Sequence, residues 1–152
     1  MGDIYIIAPI FVGICALLWV RERKQEAVSW AAIFCLAAAI IWLLKWQVGP
    51  FTVDIGWRMI RAPNLPSGHV GMSIVFYGQA AILLWQGRST AYRIAGAGVA
   101  LLPLMVGIAV YLVGWHSLLD IAASIVIGGP LLVFLNLWRE KALKPTSALE
   151  PA

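Results

Sequence analysis

Apolar positions gather into five long runs separated by short polar stretches. The first runs from Ile4 to Val20 and stops at Arg21-Glu22-Arg23-Lys24-Gln25-Glu26. The second extends from Ala27 to Trp46, the third from Ser67 to Trp85, the fourth from Ile94 to Val113 and the fifth from Ser117 to Trp138. A run of about 20 apolar residues, coiled as a helix, crosses the ~30 Å hydrocarbon core of a bilayer. Such a segment must satisfy its own backbone donors and acceptors, so helix is the predicted state of all five. Pro103 is expected to kink the fourth run, and Gly128-Gly129-Pro130 to bend the fifth. The connection from Gln47 to Pro66 carries Gly49-Pro50, Asp54, Arg58, Arg61 and Ala62-Pro63-Asn64 and is too polar and too broken to span. From Arg139 to Ala152 the pattern ends in a polar tail, expected to be disordered.

Composition turns this pattern into a class. Hydrophobic residues make up 62% of the 152, charged residues only 12%, and the mean hydropathy is +0.88. That balance belongs to an integral membrane protein and leaves no room for a large soluble domain. The predicted fold is an all-α membrane bundle of five transmembrane helices, forming one domain over residues 1–138 with a cytoplasmic tail at 139–152. Asp3, with no basic leader, argues that the first run stays as a span and is not a cleaved signal. Trp42 and Trp46 around Lys45 have the character of an interfacial anchor.

The net charge of +4 reports topology, not affinity for nucleic acid. Arg21, Arg23, Lys24, Arg88, Arg93, Arg139, Lys141 and Lys144 fall in alternate loops and hence on one face. The positive-inside rule makes that face cytoplasmic, with the N-terminus outside and the C-terminus inside. Cys15 and Cys35 lie within apolar runs and read as inert packing residues. Ala95, Gly96, Ala97, Gly98 and Ala100 would permit close helix contact in the fourth span.

On the opposite face lie the chain's two histidines, each where a polar loop meets the start of an apolar run: Leu65-Pro66-Ser67-Gly68-His69 and Gly114-Trp115-His116-Ser117-Leu118-Leu119-Asp120. Helix starts offer unpaired N–H groups and the positive end of the helix dipole, a natural seat for an anion. His116 and Asp120, four apart, can share a face, so that the carboxylate holds one imidazole nitrogen and frees the other as a nucleophile. The same residues also read as a capping box, with Ser117 as N-cap and Asp120 three residues on. Likewise Ser67 can cap the third helix, or donate its hydroxyl to an anion that approaches over Gly68 while His69 acts as general acid.

Pro66-Ser67-Gly68-His69, followed by Gly114-Trp115-His116-Ser117 and Asp120, resembles the second and third signature motifs of the type 2 phosphatidic acid phosphatase superfamily, over roughly Lys45 to Gly129. The resemblance implies a membrane phosphatase in which His116 forms a phosphohistidine, Asp120 orients it and His69 protonates the leaving group. Ser67 and Gly68 would bind phosphoryl oxygens, and no metal or other cofactor is implied. The family's third motif carries Arg six residues before its nucleophilic His, where this chain has Val110. Its first motif is incomplete here: Lys45 fits the Lys, but Thr52 and Val53 stand in place of Arg-Pro, and the family bundle often has one more span. Lys45, Arg58 and Arg61 are the candidate substitute cations; for the two arginines the alternative is snorkelling to headgroups.

The expected function is therefore a phosphatase of lipid monophosphates or diphosphates at the outer face of a bacterial plasma membrane, its partners being the phosphorylated lipid and the membrane, with no nucleic acid. A non-catalytic relative that binds phosphorylated lipid, or a partner protein as a scaffold, is the rival. A third reading makes His69, His116 and Asp120 ligands of a catalytic metal.

Overall fold

The computed structural model describes residues 2–48, 52–54, 59–61 and 65–143. Five helices follow the apolar runs: α1 (Gly2–Val20), α2 (Lys24–Val48), α3 (Gly68–Trp85), α4 (Thr90–Leu112) and α5 (Leu118–Leu143). Four of them contain stretches long and apolar enough to cross a membrane: Lys24–Gln47, Gly68–Trp85, Thr90–Leu112 and Leu118–Lys141. The remaining one, with its apolar part at Ile7–Val20, is shorter. Met105, Val126 and Phe134 are each more than half exposed on the outside of the bundle. A surface of that kind requires an apolar surrounding.

Short turns make sequential helices antiparallel. Glu22 takes a positive φ of 58° between α1 and α2. Ser89 caps α4 by accepting from the Tyr92 N–H at 3.4 Å. Gly114, at φ 76°, ends α4 in the left-handed region that a side chain disfavours. One end of the bundle therefore holds the start of α3, the start of α5 and the end of α2.

The interior sits between α2, α3 and α5, where Ile33, Ala37, Val75 and Leu135 are buried together. α1 closes against this core through an aromatic layer. Phe11 stacks on Phe34 at 4.4 Å and on Trp30 at 5.6 Å, and Phe34 meets the edge of Phe76 at 6.0 Å. Glycines admit neighbours where helices touch closely: Gly128 receives Ile74 of α3, and a Cβ at Gly96 would stand 3.1 Å from the Ala81 carbonyl. Of the five small residues in α4 expected to permit close contact, only Gly96 is buried; Ala95, Ala97, Gly98 and Ala100 are exposed.

Two features depart from the expected pattern. Within the long connection, β1 (Thr52–Asp54) and β2 (Met59–Arg61) pair antiparallel, with Thr52 opposite Arg61, Val53 opposite Ile60 and Asp54 opposite Met59. β-branched Thr52, Val53 and Ile60 favour an extended backbone even in a polar stretch. The expected tail also starts late, since α5 continues through Arg139 to Leu143. Arg139 is only 8% exposed, packed against the bundle in place of being released into water. Pro103 and Pro130 lie inside helices that run on past them.

Candidate active site

The site is built where two helix starts converge. Ser67 is the N-cap of α3, its hydroxyl accepting from the Val70 N–H at 3.4 Å. Its peptide group is fastened to α5: the Ser67 N–H donates to the Asp120 carbonyl at 3.4 Å, and the Ser124 hydroxyl donates to the Ser67 carbonyl at 3.1 Å. The same hydroxyl lies 2.7 Å from the Asp120 carbonyl, so its one proton is shared between the two acceptors. This polar knot lies wholly inside the protein, with Ser67 and Ser124 no more than 1% exposed. Ser67 thus serves as a cap and a tether, and the open part of the α3 start is Gly68, where an added Cβ would meet nothing within 4 Å.

That tether fixes the two histidines relative to one another. The rings of His69 and His116 stand 5.7 Å apart, centroid to centroid, at an interplanar angle of 62°. Trp115 lies 5.8 Å from His69, tilted by 39°. His116 is placed from behind by the end of α4: the N–H groups of Trp115 and His116 both donate to the Val110 carbonyl, at 3.0 and 3.3 Å. Val110, at the position where the resemblance would place an arginine, is itself buried at 6% exposure and supports the turn.

Asp120 caps its own helix and also stands beside the His116 imidazole. It closes a capping box, with Oδ2 accepting from the Ser117 N–H at 2.8 Å and the Ser117 hydroxyl at 3.0 Å, while its own N–H donates to Ser117 Oγ at 3.2 Å. The same Oδ2 stands 3.5 Å from His116 Nδ1, and both side chains are 5% exposed. Nδ1 thus lies beside the carboxylate within ion-pair distance, though without a hydrogen bond to it. Burial pushes the His116 imidazole below its ordinary pKa; Asp120 opposes the shift and Lys45 adds to it. A neutral imidazole at neutral pH follows.

Among the candidate cations, Lys45 shares a cavity with Gly68 and His69. Arg61 lies on β2, where only its backbone is described, and Arg58 lies outside the described residues. No group of three or more His, Cys, Asp or Glu side chains among the described residues is arranged to hold a metal ion. Sequence reasoning missed Ser124. The available signal was its place one turn beyond Asp120, a small polar residue on the same face of an otherwise apolar helix.

Two helix N-termini and an ammonium group converging on a pair of imidazoles make a site suited to a tetrahedral oxyanion. Neither a curated protein nor a solved structure matches the chain at a significant level. A sequence model of the PAP2 superfamily does match, over residues 42–144, a span that takes in Lys45, both histidines, Asp120 and Ser124. With more than half of its length covered by that match, the chain belongs to the PAP2 superfamily.

Proposed function

We propose that this protein is a membrane phosphatase of lipid phosphates or diphosphates, working through a phosphohistidine at the outer end of its bundle. PAP2 membership supports phosphatase-type activity in general. The observation that carries the specific reading is the 5.7 Å approach of His69 and His116 between two helix starts.

His116 Nε2 attacks phosphorus with its lone pair. The bond from phosphorus to the leaving oxygen breaks, and that oxygen takes a proton from the imidazolium of His69. Asp120, beside Nδ1, holds the ring in the tautomer that leaves Nε2 unprotonated and balances the positive charge that grows on it. In the second half, His69 accepts a proton from water as the water oxygen bonds to phosphorus and the P–N bond breaks, releasing inorganic phosphate and restoring both rings. Gly68 lets the phosphoryl oxygens approach the α3 start, and Lys45 supplies the positive charge that Val110 cannot. Arg58 and Arg61 are further candidates for that task.

The site lies at the end of the bundle opposite Arg21, Arg23, Arg88 and Arg93, so the positive-inside rule supports an outward-facing site with a cytoplasmic C-terminus. A non-catalytic lipid-binding relative is favoured by one observation, the engagement of Asp120 in its own cap. Release of inorganic phosphate from lipid phosphates in detergent separates the two. Turnover by the wild type and none by His116→Ala supports the enzyme, whereas equal lack of turnover with retained lipid binding supports the binder.

A further inference from the structure

Two large cavities flank α3, and they differ at the end nearest the histidines. The larger, about 640 Å³, lies between α3, α4 and α5; Ile74, Leu104, Gly107, Leu118 and Ile125 are among its walls, and among the described residues no charged group or imidazole borders it. The other, about 590 Å³, is bordered by Lys45, Gly68 and His69 and continues along α2 past Ile41 and Ala38 to Phe34. Met72 of α3 and Ile7 of α1 complete its apolar sides.

We propose that this second cavity is the subsite for the substrate's apolar chain, that Ala38 keeps it open and that Phe34 is its floor. The assignment rests on the phosphatase reading above and adds where the chain lies and which residues select it. Three arguments support it. Charge complementarity comes first: an amphiphile with its phosphate at Lys45 and His69 finds an uninterrupted apolar path directly below, which the larger cavity does not offer from any charged group. Length comes second. Phe34 lies three turns from Lys45, roughly 16 Å along the helix at about 1.5 Å per residue, close to the roughly 15 Å of one leaflet's hydrocarbon. The third is closure, since Phe34 is clamped between Phe11 and Phe76 in the aromatic layer and cannot yield as an isolated side chain would. Ala38, half-buried and one turn above that floor, leaves open space that a larger residue would fill.

The test uses the full-length protein in detergent with two substrates, dodecyl phosphate and the short soluble ester phenyl phosphate. Ala38→Trp should raise KM for dodecyl phosphate about tenfold more than KM for phenyl phosphate, the scale on which a pocket discriminates by size. Leu104→Trp, in the larger cavity, should leave both substrates unaffected. An effect of Leu104→Trp on dodecyl phosphate without one from Ala38→Trp overturns the assignment, as does the absence of any chain-selective effect. A dodecyl phosphate carrying a diazirine at its far end supplies a second readout in the His116→Ala protein. Crosslinks mapped to Phe34, Ala38 or Phe11, and competed by unlabelled dodecyl phosphate, support the groove, whereas crosslinks on Leu104 or Ile125 refute it. Failure of the wild type to release phosphate from either ester, with crosslinks still at Phe34, defeats the enzymatic reading and leaves the chain subsite standing.

Discussion

Asp120→Asn separates the two tasks that one carboxylate performs. As a cap, Asp120 needs only an acceptor oxygen for the Ser117 N–H at 2.8 Å and a backbone N–H for Ser117 Oγ. Asparagine supplies both, and the loss is confined to the charge at a helix start, about 0.3–1 kcal/mol. For a chain of this size that corresponds to no more than about 2–4 °C in the unfolding midpoint. For His116 the same substitution is far larger. A full negative charge 3.5 Å from Nδ1 is worth roughly 5 kcal/mol at an effective dielectric of about 20. With both side chains 5% exposed, water does little to dilute that interaction. Not all of it appears in the rate, because the substituted amide still offers a neutral dipole. At about 1.4 kcal/mol per decade, a fall in kcat of about 10²- to 10³-fold is expected. The assay is inorganic phosphate release from a lipid phosphate in micelles, paired with thermal unfolding followed by tryptophan fluorescence. Asp120→Ala serves as comparator and should lose both stability and rate. If Asp120→Asn unfolds like the wild type and also turns over like it, Asp120 is a cap and nothing more, and the mechanism fails at its central residue.

The pH profile tests the electrostatics from the other side. In the proposed mechanism protonation of His116 removes the nucleophile, and because burial holds its pKa below the ordinary value, the acid limb of kcat/KM should lie at lower pH than an ordinary histidine would give. Lys45→Met removes a charge that opposes protonation, so the acid limb should move to higher pH, with kcat/KM down about 10²- to 10³-fold if Lys45 also binds the phosphoryl group. Asp120→Asn should move the same limb to lower pH; shifts in one common direction would contradict the placement of both charges. Ser124→Ala removes the hydroxyl that joins α5 to the Ser67 carbonyl, which keeps the Gly71 N–H at 2.9 Å, so the cost should be that of one hydrogen bond, about 0.5–1.5 kcal/mol, visible as a lower unfolding midpoint. Gly96→Leu should destabilise by about 1–3 kcal/mol through overpacking against α3. Gly98→Leu, where a Cβ meets nothing within 4 Å, should be tolerated, and equal effects from the two would refute the assigned α3–α4 contact.

Much of this architecture was legible before any coordinates. The five apolar runs became five helices because hydrocarbon length and backbone satisfaction leave little alternative. Both readings of His116-Ser117-Leu118-Leu119-Asp120 were visible because capping and imidazole support require the same three- and four-residue spacings. The Thr52–Arg61 hairpin was not, since its strands are three residues long and show too little alternation to register. Arg139 misled because a charged residue after a tryptophan reads as a helix end, whereas burial of its stem carries α5 five residues further. Ser124 had only its place one turn beyond Asp120 to mark it, whereas Ala38 and Phe34 carry no signature of their own, and the roles proposed for them exist only once α1, α2 and α3 are side by side.

The Ser124–Ser67–Asp120 knot has a mechanical corollary. Because α3 and α5 are pinned at the level of the histidines, the two imidazoles ride on one stiff jaw, and under the proposed function the entry and exit of the phosphate head fall to the long, flexible side chain of Lys45 at the end of α2. Substrate exchange can then proceed by swinging a charge aside while the proton-transfer pair stays in register.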